Sequence, residues 1–401
     1  MSKWVKNALQ LSLLLFLFSS LLIGCNPNNT MSLPPSPTTT NPLETSARIV
    51  QLAPFQQNSF ALTDKGELFG WGGRNEEGEL GIGNTETTKK PTKLNINDKI
   101  IQISPGAFSV ALTEGGKIYT WGITDYGDDL GNERTFTATP LKKEMPEKIV
   151  KLGEGAGVGL AISETGSLYT WGWNYYGERG DGTRKRSNFT PHEVNLPQRV
   201  MDASYRGTHV LALLEDGSVY AWGTNYFGEI GDQTPVAYKP GEAYDENVVV
   251  LKPYKVHFDK KIIAITSGNG TSYALDEDGT LYAWGQNLLG QLGIGDEKVA
   301  ASSTPLKVAI PRKIKIVKSG EDLVYAIAED GTVYEWGKKK YKPEVIQIPG
   351  EVDKISVSFN TWVITKDGEI YGWGNNQDGQ LGPDLPEVVH TPTKIDLKLK
   401  D

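Results

Sequence analysis

Residues able to do covalent or metal chemistry are few: one cysteine, Cys25, and four scattered histidines, His192, His209, His257 and His390. A zinc or iron site needs such ligands grouped at short, regular spacing, and no pair here has it. A strained Gly-x-Ser-x-Gly elbow, which would expose a serine nucleophile, does not occur either. Asp276-Glu277-Asp278-Gly279 has acids like those of a calcium loop but lacks the later ligands, so it reads as a tight turn. His209 reads as a hydrogen-bonded structural residue. The inventory predicts no enzyme, no metal and no cofactor. What remains is modification of Cys25 and recognition by aromatic side chains.

Cys25 has a context. Lys3 and Lys6 precede an apolar run from Leu9 to Ile23, and the run ends in Leu22-Ile23-Gly24-Cys25. This is similar to a bacterial lipoprotein signal, in which the chain is cut before the cysteine and the thiol is acylated, for example with palmitate. The run is short for a spanning helix. Residues 1–24 are therefore expected to be a cleaved signal peptide. Residues 25–47 follow as a lipidated tether, because their Asn, Pro, Ser and Thr supply too little apolar surface to offset ordering entropy. That implies export and anchoring to the bacterial membrane, at the outer cell surface or in an outer membrane. A lone cysteine also rules out an intrachain disulfide.

The net charge of the whole chain is −8, and it becomes −10 without residues 1–24, since Lys3 and Lys6 leave and no acid does. Nucleic-acid binding needs basic surface to neutralise phosphates, so none is expected.

The elements that would position a site come from a repeat. Trp-Gly occurs at Trp71, Trp121, Trp171, Trp222, Trp284, Trp336 and Trp373, and five residues before each Trp stands a glycine that ends a polar turn. Apolar runs flank each turn, which reads as a hairpin with glycine supplying the positive φ. The fixed offset puts every indole on the same face of its strand, because side chains alternate with period two, and this predicts a shared core role. A proline opens a further strand (Pro91, Pro140, Pro191, Pro253, Pro305, Pro343 and Pro392), and nine residues after each of the first six the next apolar strand starts. Four strands in each of seven units predict an all-β, seven-bladed β-propeller over residues 48–401, with four-stranded antiparallel blades. A linear solenoid has no reason for ends that complement one another. The unpaired first and last strands predict that the C-terminal strand closes the ring by pairing with the N-terminal blade.

Most units carry Trp-Gly-x-Asn-x-x-Gly-(Gln/Glu)-(Leu/Ile)-Gly, best seen from Trp284 to Gly293 and from Trp373 to Gly382. This resembles the regulator of chromosome condensation repeat, and the resemblance spans about residues 48–397. It implies the propeller fold but no single function. The founding members are nucleotide-exchange factors that bind chromatin, partners an exported protein would not meet. A plant member senses ultraviolet light through a Gly-Trp-Arg-His-Thr motif that is absent here. A secreted bacterial type, β-lactamase inhibitor protein II, plugs an enzyme with an aromatic-rich face.

Two units depart from the pattern. The sixth runs from Trp336 to Pro343 with Lys338-Lys339-Lys340 in place of the Asn-x-x-Gly segment, and the fourth carries an insertion around Pro235 to Val250. Irregular aromatics cluster in the loops: Tyr126, Trp173, Tyr175, Tyr176, Tyr226 and Phe227, with Tyr238 and Tyr244 in the insertion. Tyr and Trp anchor interfaces because they bury much area at little entropy cost. The leading expectation is a monomeric, lipid-anchored, inhibitor-like binding module that engages a protein or an envelope polymer through one rim. The alternative is a propeller enzyme with carboxylates at the central mouth; nucleotide exchange comes third.

Overall fold

Asp64-Lys65-Gly66 and its six counterparts each turn a hairpin. The Gly66 N–H bonds back to the Thr63 carbonyl at 2.9 Å, and Gly66 has φ +81°. The computed structural model describes residues 47–125, 135–155, 157–185, 190–242, 245 and 247–399. The signal peptide, Cys25 and the tether up to residue 46 lie outside the described residues, as do Tyr126 and Tyr244.

The hairpins sit in seven four-stranded antiparallel sheets, each built from four consecutive strands. In the first these are Ile49–Phe55, Asn58–Thr63, Leu68–Gly72 and Thr88–Lys93. The blades occupy residues 49–93, 100–143, 149–193, 200–256, 262–307, 314–346 and 352–394. First strands line a central channel and fourth strands form the rim. Second strands such as Asn58–Thr63 and His209–Leu214 are buried along their whole length because both faces meet a neighbouring blade. Fourth strands are largely exposed, and six of them contain the repeat proline; an edge strand tolerates the missing N–H.

Ring closure differs from expectation. The C-terminal strand, Val388–Lys394, pairs with Ile370–Asn375 of its own blade, and the N-terminal strand pairs with Asn58–Thr63. Among the described residues no strand is shared between the first and last blades. The proline strand follows its Trp strand in sequence and folds directly back on it, so each blade is complete without a loan from elsewhere. Side chains close the seam instead. Trp71 and Trp362 meet edge to face at 6.2 Å, the Trp71 indole N–H donates to the Gln380 carbonyl at 2.9 Å, and Lys354 donates to the Val50 carbonyl at 2.6 Å.

All seven repeat indoles are buried: six are fully covered, and Trp373 keeps 6% exposure. Each following glycine has positive φ, from +84° at Gly122 to +140° at Gly72. These glycines are points of close backbone approach. They chiefly serve their own blade: a Cβ on Gly72 would stand 2.2 Å from the Gln57 carbonyl oxygen, and one on Gly337 1.9 Å from that of Asp322. In six blades the ladder slips at this Trp-Gly step, for example between Ala283 and Gly285. A second slip, near the start of each first strand, turns one residue outward and leaves Ile101, Val150, Met201 and Ile263 about half exposed.

The seam gives a test. Trp71→Phe removes a buried donor and leaves the Gln380 carbonyl unpaired, with a small cavity beside it. It should cost about 2–4 kcal/mol in urea unfolding. A loss within experimental error would mean that this contact does not hold the ring.

Candidate partner-binding face

The turns between first and second strands and the loops between third and fourth strands open on one face, since strand direction alternates. The Gly73 N–H bonds the Gln57 carbonyl at 3.1 Å and joins the two sets. The repeat asparagine organises each described loop. The Asn287 carboxamide oxygen accepts the Leu292 N–H at 3.0 Å, and its NH2 donates to the Asp296 and Val299 carbonyls. Asn75, Asn174 and Asn376 do the same in their own loops, at 2.9, 2.9 and 2.7 Å for the accepted N–H. The Glu/Gln that follows turns back on the loop: Gln291 accepts from the Leu289 N–H, Glu178 from Tyr176 and Glu229 from Phe227, each at 2.8 Å.

The carbonyl of that same Glu/Gln residue reaches the next blade. Trp121 donates to the Glu79 carbonyl, Trp222 to Glu178, Trp284 to Glu229 and Trp336 to Gln291, at 2.7–2.9 Å. Blade six has no such loop. There the Trp373 indole finds the Tyr325 hydroxyl at 3.1 Å, and this hydroxyl in turn donates to Glu335 at 2.6 Å. Sequence reasoning quoted the Asn and Glu/Gln positions as a motif but gave them no role. Their spacing from the Trp was the available signal.

A second partnership was missed altogether. The residue just before the repeat asparagine faces the Glu/Gln side chain: Arg74 pairs with Glu79 at 2.7 Å, the Thr224 hydroxyl donates to Glu229 at 3.3 Å, and the Gln291 NH2 donates to Gln286 at 3.4 Å. In blade three this residue is Trp173, which offers the acid no such donor, and one oxygen of the fully buried Glu178 carboxyl has no partner among the described residues. Burial pushes Glu178 up to about 8 and Glu229 up to about 7, against the pull of the backbone N–H bonds each accepts.

The aromatic candidates form two groups on adjacent blades. Trp173, Tyr175 and Tyr176 stack in series, with ring centroids 6.1 and 4.9 Å apart. Tyr226, Phe227 and Tyr238 form a triangle at 5.0, 5.1 and 6.0 Å. Tyr226 is buried and supports the other two from below, while Trp173, Tyr175, Tyr176, Phe227 and Tyr238 are each partly exposed. Arg184 links the groups. Its guanidinium lies 5.3 Å from the Tyr175 ring centroid, and it donates to the Tyr175 carbonyl at 2.7 Å and to Asn247, in the blade-four insertion, at 3.1 Å.

The channel holds about 470 Å³ and carries charges of both signs. Lys318 of blade six pairs with Glu154 of blade three, Lys151 with Asp202 at 2.8 Å, and Arg206 with Glu321 at 3.3 Å. Arg206 also donates across the ring to the Val357 carbonyl at 3.0 Å. Burial opposes the Glu154 charge, but Lys318, with Arg206 and Lys151, outweighs it and holds the carboxyl below its usual range. Burial raises Asp202. His209 is fully buried, with Nε2 2.8 Å from the Ser272 hydroxyl, and desolvation drives it down to about 3, so it stays neutral.

A closed propeller with a looped, aromatic face and a channel crossed by ion pairs has the architecture of a protein-binding scaffold. Residues 65–112, 165–213, 278–327 and 367–400 match the regulator of chromosome condensation (RCC1) repeat, and residues 207–229 and 262–291 match a second description of it. The chain belongs to the RCC1 repeat family. It is 32% identical over 213 residues to the ultraviolet-B receptor UVR8 of Arabidopsis thaliana, covering 48% of this chain and 46% of the receptor. It is 28% identical over 211 residues to the human E3 ubiquitin-protein ligase HERC2, covering 47% of this chain and 4% of the ligase. The chain thus spans less than half of either relative. Among solved structures, Prp20p from Saccharomyces cerevisiae, studied for its binding to Gsp1p and histones, superposes with a TM-score of 0.69. That match has 23% identity and covers 84% of this chain and 87% of the other.

The buried acids predict a pH dependence. The unfolded chain ionises these groups near 4.5, whereas burial in the folded loops pushes Glu178 up to about 8 and Glu229 up to about 7. Their contribution is complete below the unfolded value and is lost as pH rises through 7 to 8. Glu178→Gln supplies the amide that blades five and seven already use at Gln291 and Gln380. It should recover about 4 kcal/mol at pH 8 and nothing at pH 4. Equal unfolding free energies for wild type and variant at both values would contradict a protonated Glu178.

Proposed function

We propose that this protein is a binding module of the bacterial envelope, anchored through a lipid on Cys25 after removal of residues 1–24 and tethered by residues 25–47. It acts as a monomer and engages a protein, or a wall polymer, through the loop face of blades three and four in an inhibitor-like manner. The observation that carries this reading is the pair of linked aromatic groups, whose partly exposed rings are held rigidly by Arg184 and by Tyr226 beneath them. Preorganised aromatic side chains of this kind lose little entropy when a partner covers them.

The enzyme alternative draws on Glu154 and Asp202, but both are engaged by lysines. Exchange on a GTPase has the likeness to Prp20p in its favour, and export would separate the chain from such a partner.

Two variants test the proposal. Cys25→Ala should abolish incorporation of labelled palmitate and release the protein from membranes, while capture of crosslinked envelope partners in detergent persists. The triple change Tyr175→Ala, Phe227→Ala, Tyr238→Ala should lower that capture at least about tenfold with the anchor intact, as expected for truncating interface anchors. Unchanged palmitate labelling would overturn the anchor, and unchanged capture would overturn the aromatic face.

A further inference from the structure

The face opposite the loops carries a pattern of its own. Every first strand begins there, and near its start the ladder to the second strand skips one residue. In blades one to five the skipped residue is Val50, Ile101, Val150, Met201 or Ile263; in blade six it is Lys315 and in blade seven Asp353. A bulge of this kind re-aims the side chain it carries. Because the first strands line the channel, the seven positions form a ring at its mouth. Four of the aliphatic members are 46–52% exposed, and Val50 is partly exposed. Apolar side chains on five consecutive blades make one contiguous patch, which marks a surface that something covers.

Lys315 and Asp353 complete the ring side by side. Among the described residues neither makes an ion pair, and Glu351, on the same face, is held by Lys366. Further out, charges of this face are answered within the chain: Lys99 pairs with Glu114 at 2.8 Å, Lys260 with Asp278 and Arg312 with Asp330. The ring therefore offers an aliphatic arc closed by one base and one acid.

That order is complementary to itself. When a second copy lies on the first with the channel mouths together, a two-fold axis in the plane between them runs the second copy's blades in reverse. A ring of seven blades has seven such axes that bring position onto position. One of them passes through blade three and between blades six and seven. It sets Lys315 on the second copy's Asp353, and Asp353 on the second copy's Lys315. The same axis sets Val50 on the second copy's Ile263, Ile101 on its Met201, and Val150 on its own counterpart. About each of the other axes a charged residue falls on an aliphatic one. An isologous contact requires a patch that matches itself in this way.

We infer that this protein pairs with a second copy of itself, channel mouth to channel mouth, through this ring. The inference goes beyond the binding-module reading and does not draw on it. The two loop faces point away from each other, so each copy engages its own partner singly. Seven side chains per copy make a contact at the small end of specific interfaces; copies are single when dilute and pair where they are crowded.

The test places single cysteines in the ring of the full-length protein, treats it in mild detergent with a short bismaleimide and resolves the products on denaturing gels. Val150→Cys, which meets its own counterpart, should give covalent dimer above the wild-type background. Ile101→Cys alone should give none, and Ile101→Cys combined with Met201→Cys should give it. In the Val150→Cys protein, Lys315→Asp or Asp353→Lys should lower the yield at least about tenfold. Mixing those two charge variants should restore it, because each then meets the opposite sign. No dimer from Val150→Cys, an equal yield from Ile101→Cys alone, or no recovery in the mixture overturns the inference. Palmitate labelling and partner capture report on the anchor and the aromatic face, so failure of pairing and failure of the module are told apart.

Discussion

One buried hydrogen bond recurs around the ring and the remaining structure depends on it: an indole N–H of one blade donating to a backbone carbonyl in the loop of the blade before. A buried donor left unpaired is costly, so the loop must be present and must hold its carbonyl in place. That demand fixes the asparagine which folds the loop and the Glu or Gln which braces it. It also explains blade six, where a missing loop is answered by the Tyr325 hydroxyl and by Glu335, which stands just before the Trp where other blades carry Gly, Ala or Thr. The loops are therefore both the glue between blades and the material of the outer face.

This double duty shapes what the loops can vary. Positions that point into the seam are restricted to residues that satisfy a neighbour, such as Arg74 opposite Glu79 or Thr224 opposite Glu229. Positions between the asparagine and the glycine vary, as in Tyr175-Tyr176, both partly exposed, and Tyr226-Phe227, of which Tyr226 is buried and Phe227 partly exposed. Glu178 shows a seam position without its usual partner, where burial favours the neutral carboxyl.

Much of the architecture was legible because it is periodic. Seven Trp-Gly steps at a fixed distance from a turn glycine specify the hairpins, the face of each indole and the number of blades. The way the ring closes was not legible, because a circular repeat reads the same from any starting point, and complementary ends fit a shared blade as well as a clean seam. Only the pairing of Val388–Lys394 with its own blade decides it. Of the aromatic candidates, sequence could find the loops but not the depth of each ring: Tyr226 is a buried support while Phe227, the very next residue, is partly exposed. Contacts between blades, such as Arg206 to Val357, join residues far apart in the chain and leave no local trace.

Because each blade is one unbroken stretch of chain and the last joins the first by side chains alone, the ring has no privileged break. The same kind of junction recurs at five borders, with a tyrosine hydroxyl in place of the loop carbonyl between blades six and seven, and the ends fall at one of the five. Gain, loss or reordering of whole blades then requires only that indole and loop carbonyl still meet at each new border. The number of blades is a property of the closed circle, and the identity of the binding surface can migrate from one sector to another without disturbing it.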